Sequence, residues 1–320
     1  MYYSAGIDMM RKGVVAMTNK DIRKTGWILL FITPGLVVVF TFILLPLFMS
    51  LFNSLFDWKQ LLRGDFVGLR NFKDLFTQFP YKERFYNALG NNAIWFFLSM
   101  LLQNSIALFF GYLLSREIIG SNIFKRIFFL PVMFSIIAVG FLWGLYLRPN
   151  GLLNGFLQLL KLDNFRHAWL GEEKLATTVI VMVNIWRWIG FPILAFMSAI
   201  DNVPQEMIEA AHLDGVNDWG MFWKIVFPMI IPTFSVITVL TIIHSLNVFE
   251  LVFTMAGLDG GPNYSTDTIG TLFYRTAFGS VDAGAPEIGM GSAIAVIIYI
   301  MTFTLSLISI IVTKKKEVEV

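Results

Sequence analysis

The 320-residue sequence contains no cysteine, and only 14% of its residues are charged. The absence of cysteine excludes a disulfide scaffold and a thiolate metal site. The scarcity of charge excludes an ordinary soluble domain, in which about a quarter of the residues are charged. A net charge of +2 is also too small to indicate nucleic-acid binding. With 56% hydrophobic residues and a mean hydropathy of +0.68, the composition is that of a membrane protein.

The sequence also lacks the motifs of membrane-embedded and nucleotide-dependent enzymes. Its histidines are His167, His212 and His244, and none belongs to an H-E-x-x-H pair. It has neither a G-x-S-x-G nucleophile elbow nor a G-x-x-x-x-G-K-[ST] phosphate loop. We therefore expect no catalytic residue, no metal site and no cofactor bound by this chain.

Six apolar stretches are long enough to cross a membrane as helices, which requires roughly 20 residues at a rise of about 1.5 Å each. No alternating pattern typical of a membrane barrel is present. We therefore predict an all-α polytopic membrane protein with six transmembrane helices. Pro131 and Pro232 lie inside or near span ends, where they can kink a helix. The predicted spans are about 27–52, 91–114, 124–147, 176–200, 229–256 and 288–313.

The termini are predicted from the basic residues that flank the spans. Residues 1–26 lack a signal-peptide pattern, so we expect the first apolar segment to be retained. We assign 1–26 to a cytoplasmic N-terminal segment and 27–320 to the membrane domain. Basic clusters at both ends predict that both termini are cytoplasmic. On this topology residues 201–228 face the cytoplasm and 257–287 face outward. The clusters contain Arg23, Lys24, Lys314, Lys315 and Lys316.

The loop between the fourth and fifth spans, about 201–228, contains the polar stretch EMIEAAHLDG at 206–215. Pro204 before two polar residues predicts a helix start, and Gly215 predicts its end. Asn217 or Asp218 can cap a second short helix. The loop is thus predicted to be a helix–turn–helix on the membrane surface. Its residues alone fit an ordinary amphipathic connector as well as a docking site for a partner.

The same loop resembles the EAA loop of ABC-importer permeases. That pattern reads EAA, three residues, Gly, nine residues, then I-x-L-P. Here the EAA triplet begins at Glu209, the glycine is Gly215, and the closing motif is IVFP at 225–228, with Phe227 where leucine is usual. The match has the correct spacing and lies in a loop of the predicted sidedness.

A second segment, GLDGGPNYSTDTIGTLFYRTAF at 257–278, is similar to the GGP-containing segment of carbohydrate-importer permeases of the maltose and glycerol-phosphate type. The segment 33–58 and the GLRNF motif at 68–72 fit the same subfamily. The maltose-type protein has extra N-terminal spans and a large external domain, whereas this chain matches the six-span form.

The resemblance implies a type I ABC importer permease (MetI-like) fold in a bacterial cytoplasmic membrane. It implies that the EAA loop docks into a cleft of a separate ATPase, with Glu209 facing a basic group there. The implied partners are a second homologous permease, an ATPase dimer that carries the ATP and Mg, an extracytoplasmic solute-binding protein, a carbohydrate and membrane lipid. Gly260, Gly261 and Pro262 are implied to form an external gate or a binding-protein contact. The implied ATPase-coupling residues are Glu206, Glu209, Ala210, Ala211, Asp214 and Gly215.

Two polar stripes inside the predicted spans are candidates for the substrate path. Rings can stack on sugar faces and polar groups can bind hydroxyls, but asparagine and serine also join membrane helices to each other. Tryptophan in such a span can equally be an interfacial anchor. The fourth-span stripe contains Asn184, Arg187, Trp188 and Phe191. The fifth-span stripe contains Thr241, His244, Ser245 and Val248, with Asn247 adjoining and Glu250 about 60° from Asn247 on an ideal helix.

Arg187 is the most informative of these residues, because a buried guanidinium costs at least ~2.5 kcal/mol unless it is paired or hydrated. It can pair with Glu250 or line the substrate path. On the path it favours an acidic sugar such as a uronate oligosaccharide or a sugar phosphate. His244 is expected to be a hydrogen-bonding wall residue rather than a proton relay.

These observations predict a permease subunit of an ATP-driven carbohydrate importer, working without chemistry of its own. An ion-coupled secondary transporter is the alternative. It is disfavoured because the sequence shows no obvious inverted repeat and no paired broken helices.

Overall fold

The computed structural model describes residues 19–59, 61–116, 119–280 and 284–315. Residues 1–18 of the predicted N-terminal segment lie outside the described residues, as does Lys316. The chain forms two compact units, of which the first ends at Phe52 and the second begins at Asn53.

The first unit is one long apolar helix. It comprises α1 (Asn19–Val39), a π-helical turn (Phe40–Leu44) and the start of α2 (Leu45–Asn53). The part from Trp27 to Asn53 has 27 residues, or about 40 Å at 1.5 Å per residue. This confirms the first predicted span, including its passage through Pro34 without a break.

The second unit begins with a β-hairpin and continues as helices. The strands pair antiparallel, with Phe56 opposite Phe66. Short non-α turns interrupt the helices at Ser99–Asn104, Leu130–Met133, Asp163–Phe165 and Phe222–Val226. The elements are β1 (Phe56–Lys59), β2 (Leu62–Phe66), α3 (Arg70–Thr77), α4 (Tyr81–Leu98), α5 (Ser105–Ser115), α6 (Ser121–Phe129), α7 (Ile136–Tyr146), α8 (Leu152–Leu159), α9 (Glu173–Trp188), α10 (Gly190–Asp201), α11 (Gln205–Leu213), α12 (Asp218–Met221), α13 (Phe227–Met229), α14 (Ile231–Asn247), α15 (Glu250–Ala256), α16 (Ile269–Phe278) and α17 (Ile288–Lys314).

Among the described residues, three helices are long and apolar enough to cross a membrane without a sharp bend. Three further candidates are pairs of helices with a bend between them. Counting each pair as one span gives six, the number predicted from the sequence. The unbroken spans are Trp27–Asn53, Tyr81–Ser115 and Ile288–Lys314, and the second starts ten residues before its predicted start at 91.

The third, fourth and fifth spans are each bent, as prolines inside or near span ends allow. The third bends by 96° after the short turn that contains Pro131, and the fourth bends by 46° between Trp188 and Gly190. The fifth bends by 69° just before Pro232. It also ends at Asn247 rather than 256, because the backbone of Val248 is extended (ψ 127°) and α15 is a separate helix.

Two apolar clusters fill the second unit. The larger lies where α4, α5, α9, α10, α14 and α15 meet, and the smaller joins α3, the start of α4, α16 and the start of α17. Buried side chains of the larger cluster include Trp95, Ile180, Ile193, Phe196 and Leu251. Those of the smaller cluster include Leu75, Phe85, Ile269, Leu272 and Ile294.

Asn92 on α4 bridges the ends of two helices inside this unit. The last carbonyls of α14 and the first N–H groups of α16 have no partner within their own helices. Asn92 Nδ2 donates to the carbonyl of Ser245, and its Oδ1 accepts from the N–H of Ile269 at 2.8 Å. One buried amide therefore holds the end of α14 and the start of α16 against α4.

Replacing Asn92 by alanine should lower the free energy of unfolding by roughly 2–4 kcal/mol, because it leaves two buried backbone groups unpaired. Thermal unfolding of the purified protein, followed by tryptophan fluorescence, measures the loss. Asn202→Ala is the matched control, since Asn202 makes one exposed bond, to the carbonyl of Ser198 at 2.7 Å. Equal melting temperatures for the two variants would contradict the bridging role.

Candidate functional site

The segment predicted to couple to an ATPase, residues 201–228 and called the coupling segment below, forms the helix–turn–helix that the sequence predicts. In α11, Ile208 and Ala211 pack into the larger core cluster, whereas Glu206 and Glu209 are exposed. The helix therefore presents its acids outward while its apolar face is anchored. Ala210 is exposed beside them, which leaves a shallow surface for close approach.

Gly215 ends α11 in the left-handed conformation, with φ +75°. Its N–H donates to the carbonyl of His212 (3.1 Å), and the N–H of Val216 donates to that of Ala211 (3.0 Å). This is the Schellman arrangement, in which a residue other than glycine would be strained. Asp214 is the exposed residue immediately before the turn.

The second half of the coupling segment runs without a long break into α14. Asn217 caps it by accepting from the N–H of Gly220 at 2.8 Å, which confirms one of the two predicted caps. Pro228 lies within α13 and does not end this helix. Arg116 at the end of α5 donates to Asp218 at 3.0 Å, and this hydrogen bond raises the pKa of Arg116 above its ordinary value.

Within the predicted spans, the two polar stripes meet at His244. Its Nε2 donates to Asn184 Oδ1 at 3.1 Å, so a buried hydrogen bond joins α14 to α9. The His244 ring lies parallel to that of Trp188, with centroids 6.2 Å apart, and Trp188 stacks on Phe191 at 5.3 Å. We call Asn184, Trp188, Phe191 and His244 the polar–aromatic cluster.

The remaining fifth-span candidates make contacts within the protein. Thr241 accepts from Asn104 of the neighbouring α4–α5 turn at 3.1 Å. Ser245 is buried beside it, and Asn247 is exposed and donates to the carbonyl of Ile243 at 2.8 Å. The helical angle expected between Asn247 and Glu250 does not apply, because the helix ends between them. The single face predicted to include Val248 is wrong for the same reason.

Arg187 forms no ion pair with a described carboxylate. Its guanidinium carbon lies 5.9 Å from the centroid of Trp188, and its buried Nε has no described hydrogen-bond partner. Glu250 is exposed at the start of α15. The pairing of Arg187 with Glu250, one of the two alternatives that the sequence leaves open, is therefore absent from this conformation.

The sequence analysis missed a polar face that runs along α4 and the π-helical turn that follows it, Ser99–Asn104. Its side chains are buried against α9 and α14, and the Trp95 ring lies 6.3 Å from that of His244. A helical spacing of polar residues within 91–105 was the signal that could have revealed it. The buried members are Asn91, Asn92, Trp95, Ser99, Gln103 and Asn104.

The GGP loop, residues 257–268, folds back on itself. Gly260 has φ +60°, and a Cβ there would lie 2.6 Å from the backbone N of Asp267. The Gly260 carbonyl accepts from the N–H of Thr266 at 3.0 Å. Gly261 and Pro262 follow, half-buried and joined by a cis peptide bond. This conformation requires the glycine at 260.

A buried ion pair ties the GGP loop to α16. Arg275 Nη2 lies 2.6 Å from Asp267 Oδ2, and both side chains are 0% exposed. Arg275 also donates to the carbonyl of Leu258 at 3.0 Å, while Thr271 donates to Asp267 at 2.6 Å. Burial raises the pKa of Asp267, and the hydrogen bond from Arg275 opposes that shift.

Two neighbouring helices also bind the backbone of this loop. Asn91 on α4 donates to the carbonyl of Asp267 at 2.8 Å, and Thr177 on α9 donates to that of Ser265 at 2.6 Å. Thr268 donates to the carbonyl of Val248 at 2.9 Å, where α14 has ended. The GGP loop is thus attached to the helices that carry the polar–aromatic cluster.

The family model described as binding-protein-dependent transport system inner membrane component matches residues 103–315, more than half of the chain. The chain belongs to this family. The permease is therefore a transport subunit of the membrane and not an enzyme.

Relatives of the permease match along most of their length. It is 32% identical over 282 residues to the probable ABC transporter permease protein YurN of Bacillus subtilis, covering 87% of this chain and 92% of that protein. It is 29% identical over 309 residues to the probable starch degradation products transport system permease protein AmyD of Thermoanaerobacterium thermosulfurigenes, covering 95% and 100%. It is 28% identical to the multiple sugar-binding transport system permease protein MsmF of Streptococcus mutans, covering 94% and 100%.

The permease also resembles solved ABC importers. One is a bacterial ABC transporter involved in the import of the acidic polysaccharide alginate, with a TM-score of 0.76 and 24% identity over 92% of this chain and 98% of that chain. Another is a bacterial alginate ABC transporter in complex with an alginate pentasaccharide-bound periplasmic protein, with a TM-score of 0.74 and 23% identity over 91% and 94%. The predicted importer-permease fold is confirmed.

Replacing Arg275 by methionine should lower the free energy of unfolding by about 3–5 kcal/mol, because it leaves the Asp267 carboxylate buried without its cation. Adding Asp267→Leu should recover part of the loss, and a thermal double-mutant cycle measures the coupling. The exposed pair Arg166–Asp163, at 3.1 Å, is the control, since Arg166→Met should cost less than about 1 kcal/mol. Strictly additive losses at 267 and 275 would contradict a buried pair.

Proposed function

We propose that this permease is one of two homologous membrane subunits of an ATP-driven importer, and that its substrate is an oligosaccharide. The polar–aromatic cluster is the observation that carries the proposal. Asn184 and His244 offer a donor and an acceptor for hydroxyls, and Trp188 offers a ring for a sugar face. The names of AmyD and MsmF, which refer to starch degradation products and multiple sugars, support a carbohydrate.

The other subunits follow from the same proposal. A second homologous permease completes the path, a dimer of separate ATPase subunits binds ATP and Mg, and an extracytoplasmic solute-binding protein delivers the sugar. The alginate transporter solved together with its periplasmic protein supports the last of these. The assembly lies in a bacterial cytoplasmic membrane, surrounded by lipid, with both termini of this chain in the cytoplasm. The GGP loop lies on the outer side as a gate or a contact for the binding protein.

The coupling segment transmits the motion of the ATPase to the path. Its anchor, Ala211, belongs to the same core cluster as Ile200 at the end of α10 and Val226 just before α13, which leads into α14. A displacement of α11 would therefore move two bent spans together, because a close-packed cluster resists local compression. The exposed carboxylates of Glu206 and Glu209 supply the contact with a basic group of the ATPase.

Glu209→Lys should leave the subunit inserted and assembled yet abolish uptake, because it places a like charge against the basic partner group. Binding-protein-stimulated ATPase activity and uptake in proteoliposomes measure the coupling. Glu173→Lys is the control, an exposed charge reversal at the start of α9, the far end of the bent α9–α10 span. Normal uptake by Glu209→Lys would refute the coupling role.

Arg187 supports the finer proposal that the oligosaccharide is acidic. Its Nε is buried without a described partner, and a guanidinium matches a carboxylate or phosphate well. The importer of acidic alginate, which shares the fold, agrees with such a substrate. A neutral oligosaccharide is the second candidate, favoured by the uncharged groups at His244 and Asn184.

The wild-type assembly should take up at least one sugar of a panel of maltotriose, lactose and a uronate trisaccharide. Arg187→Met should lower uptake of the uronate about tenfold or more, because a hydrogen-bonded charge partner is lost, and leave maltotriose uptake unchanged. Equal losses for both sugars, with a lower melting temperature, would assign Arg187 a structural role. Uptake driven by an ion gradient without the ATPase would refute the importer itself.

A further inference from the structure

The buried polar face of α4 and the π-helical turn that follows it contains three side-chain atoms that have no described hydrogen-bond partner. They are Trp95 Nε1, Ser99 Oγ and Gln103 Oε1. Buried polar groups in folded proteins are nearly always paired, since an unpaired one loses its hydration without compensation. Three on one helix face, inside an apolar span, therefore call for a physical explanation.

The facing helices carry matching unpaired atoms. Asn184 Nδ2 on α9 and Ser245 Oγ on α14 are also buried without a described partner. The five atoms belong to one region. The Trp95 ring lies 6.3 Å from that of His244, which bonds Asn184, and Asn92, one turn before Trp95, bonds the backbone of Ser245. Donors and acceptors of three helices thus lie in a common interface without pairing to each other.

The π-helical turn at Ser99–Asn104 explains how so many polar groups share this face. A π turn inserts an extra residue into a helix, and such turns are frequent at functional sites. Here Gln103 and Asn104 are both buried, although consecutive residues of an ordinary helix lie about 100° apart. Asn104 is paired with Thr241, whereas Gln103 uses only its Nε2, toward Asn104.

We propose that Trp95, Ser99 and Gln103 form a third wall of the sugar path, which binds sugar hydroxyls when α4 separates from α9 and α14 during transport. The inference rests on the proposed function. An indole N–H, a hydroxyl and an amide oxygen are neutral, so this wall recognises the hydroxyl-bearing part of the substrate and not its charge. In the described conformation the wall is closed by the helices themselves.

The uptake test uses Trp95→Phe, Ser99→Ala and Gln103→Met in the complete assembly. Each variant removes an unpaired polar atom, but Trp95→Phe also removes volume from the core and Gln103→Met also removes the Nε2 bond to Asn104. A merely structural role therefore predicts normal uptake for all three, with an unchanged or higher melting temperature for Ser99→Ala and a lower one for the other two. The proposal predicts that the maximal rate of uptake falls about two- to tenfold for each, and for Ser99→Ala this loss occurs with the melting temperature retained. The matched control is Ser306→Ala on α17, which removes an unpaired buried hydroxyl outside this interface. Normal maximal rates for all three variants would overturn the proposal.

A labelling experiment separates this inference from the proposed function. The chain has no cysteine, so Ser99→Cys or Ser306→Cys introduces a single thiol. The rate of reaction with a small membrane-permeant maleimide is measured in two states, the nucleotide-free assembly and the assembly trapped with ATP and vanadate. For Ser99→Cys the two rates should differ by at least about tenfold. For Ser306→Cys they should be equal. Equal rates at residue 99 in both states would overturn the moving wall. Failure of the wild type to transport any sugar of the panel would overturn the proposed function, and with it the sugar-binding role.

Discussion

The side-chain amide of Asn92 is the contact on which the interior of the second unit depends. In an apolar environment every backbone group must find a partner within the protein, and the end of a helix leaves several without one. α14 ends inside the protein, and α16 begins nearby. Asn92 bonds both ends. Thr268 adds a bond to the carbonyl of Val248, which follows α14. Broken helices persist here because polar side chains of neighbouring helices replace the bonds that the breaks remove.

The same breaks place the candidate site. The bend after Trp188 turns α10 away from α9, yet Trp188 and Phe191 remain stacked across it. At its other end α10 leads into the coupling segment, which leads in turn through a second bend into α14. A single stretch of chain therefore runs from Trp188 of the polar–aromatic cluster, through the exposed acids of α11, to His244 of the same cluster. Ala211 of α11 packs in the same core cluster as Ile200 at the end of α10, which supports the proposed coupling.

The parts of this architecture that follow local rules could be predicted. The coupling segment combines a proline start, a glycine in a left-handed turn and an asparagine cap, and each acts within four residues. Unbroken spans such as Ile288–Lys314 follow from apolar length alone. The break at Val248 could not be predicted, because no proline or glycine marks it. It is stabilised by Asn92, which lies far away in sequence, and by Thr268 at the end of the GGP loop. Nor could the contact of Trp95 with His244 be predicted without knowing which face of α4 meets α14.

The sequence by itself determined that the chain is helical and membrane-spanning, how many times it can cross, and where the exposed acidic helix lies. These properties depend on composition, run length and local backbone preferences. Only the tertiary structure decided where the fifth span ends, which polar residues face each other and that Arg187 has no carboxylate partner among the described residues. Those outcomes depend on bonds between groups more than a hundred residues apart, such as Asn92 with Ile269 and Asn104 with Thr241. The pattern of residues along the sequence does not specify such contacts, because they form only after the helices have packed.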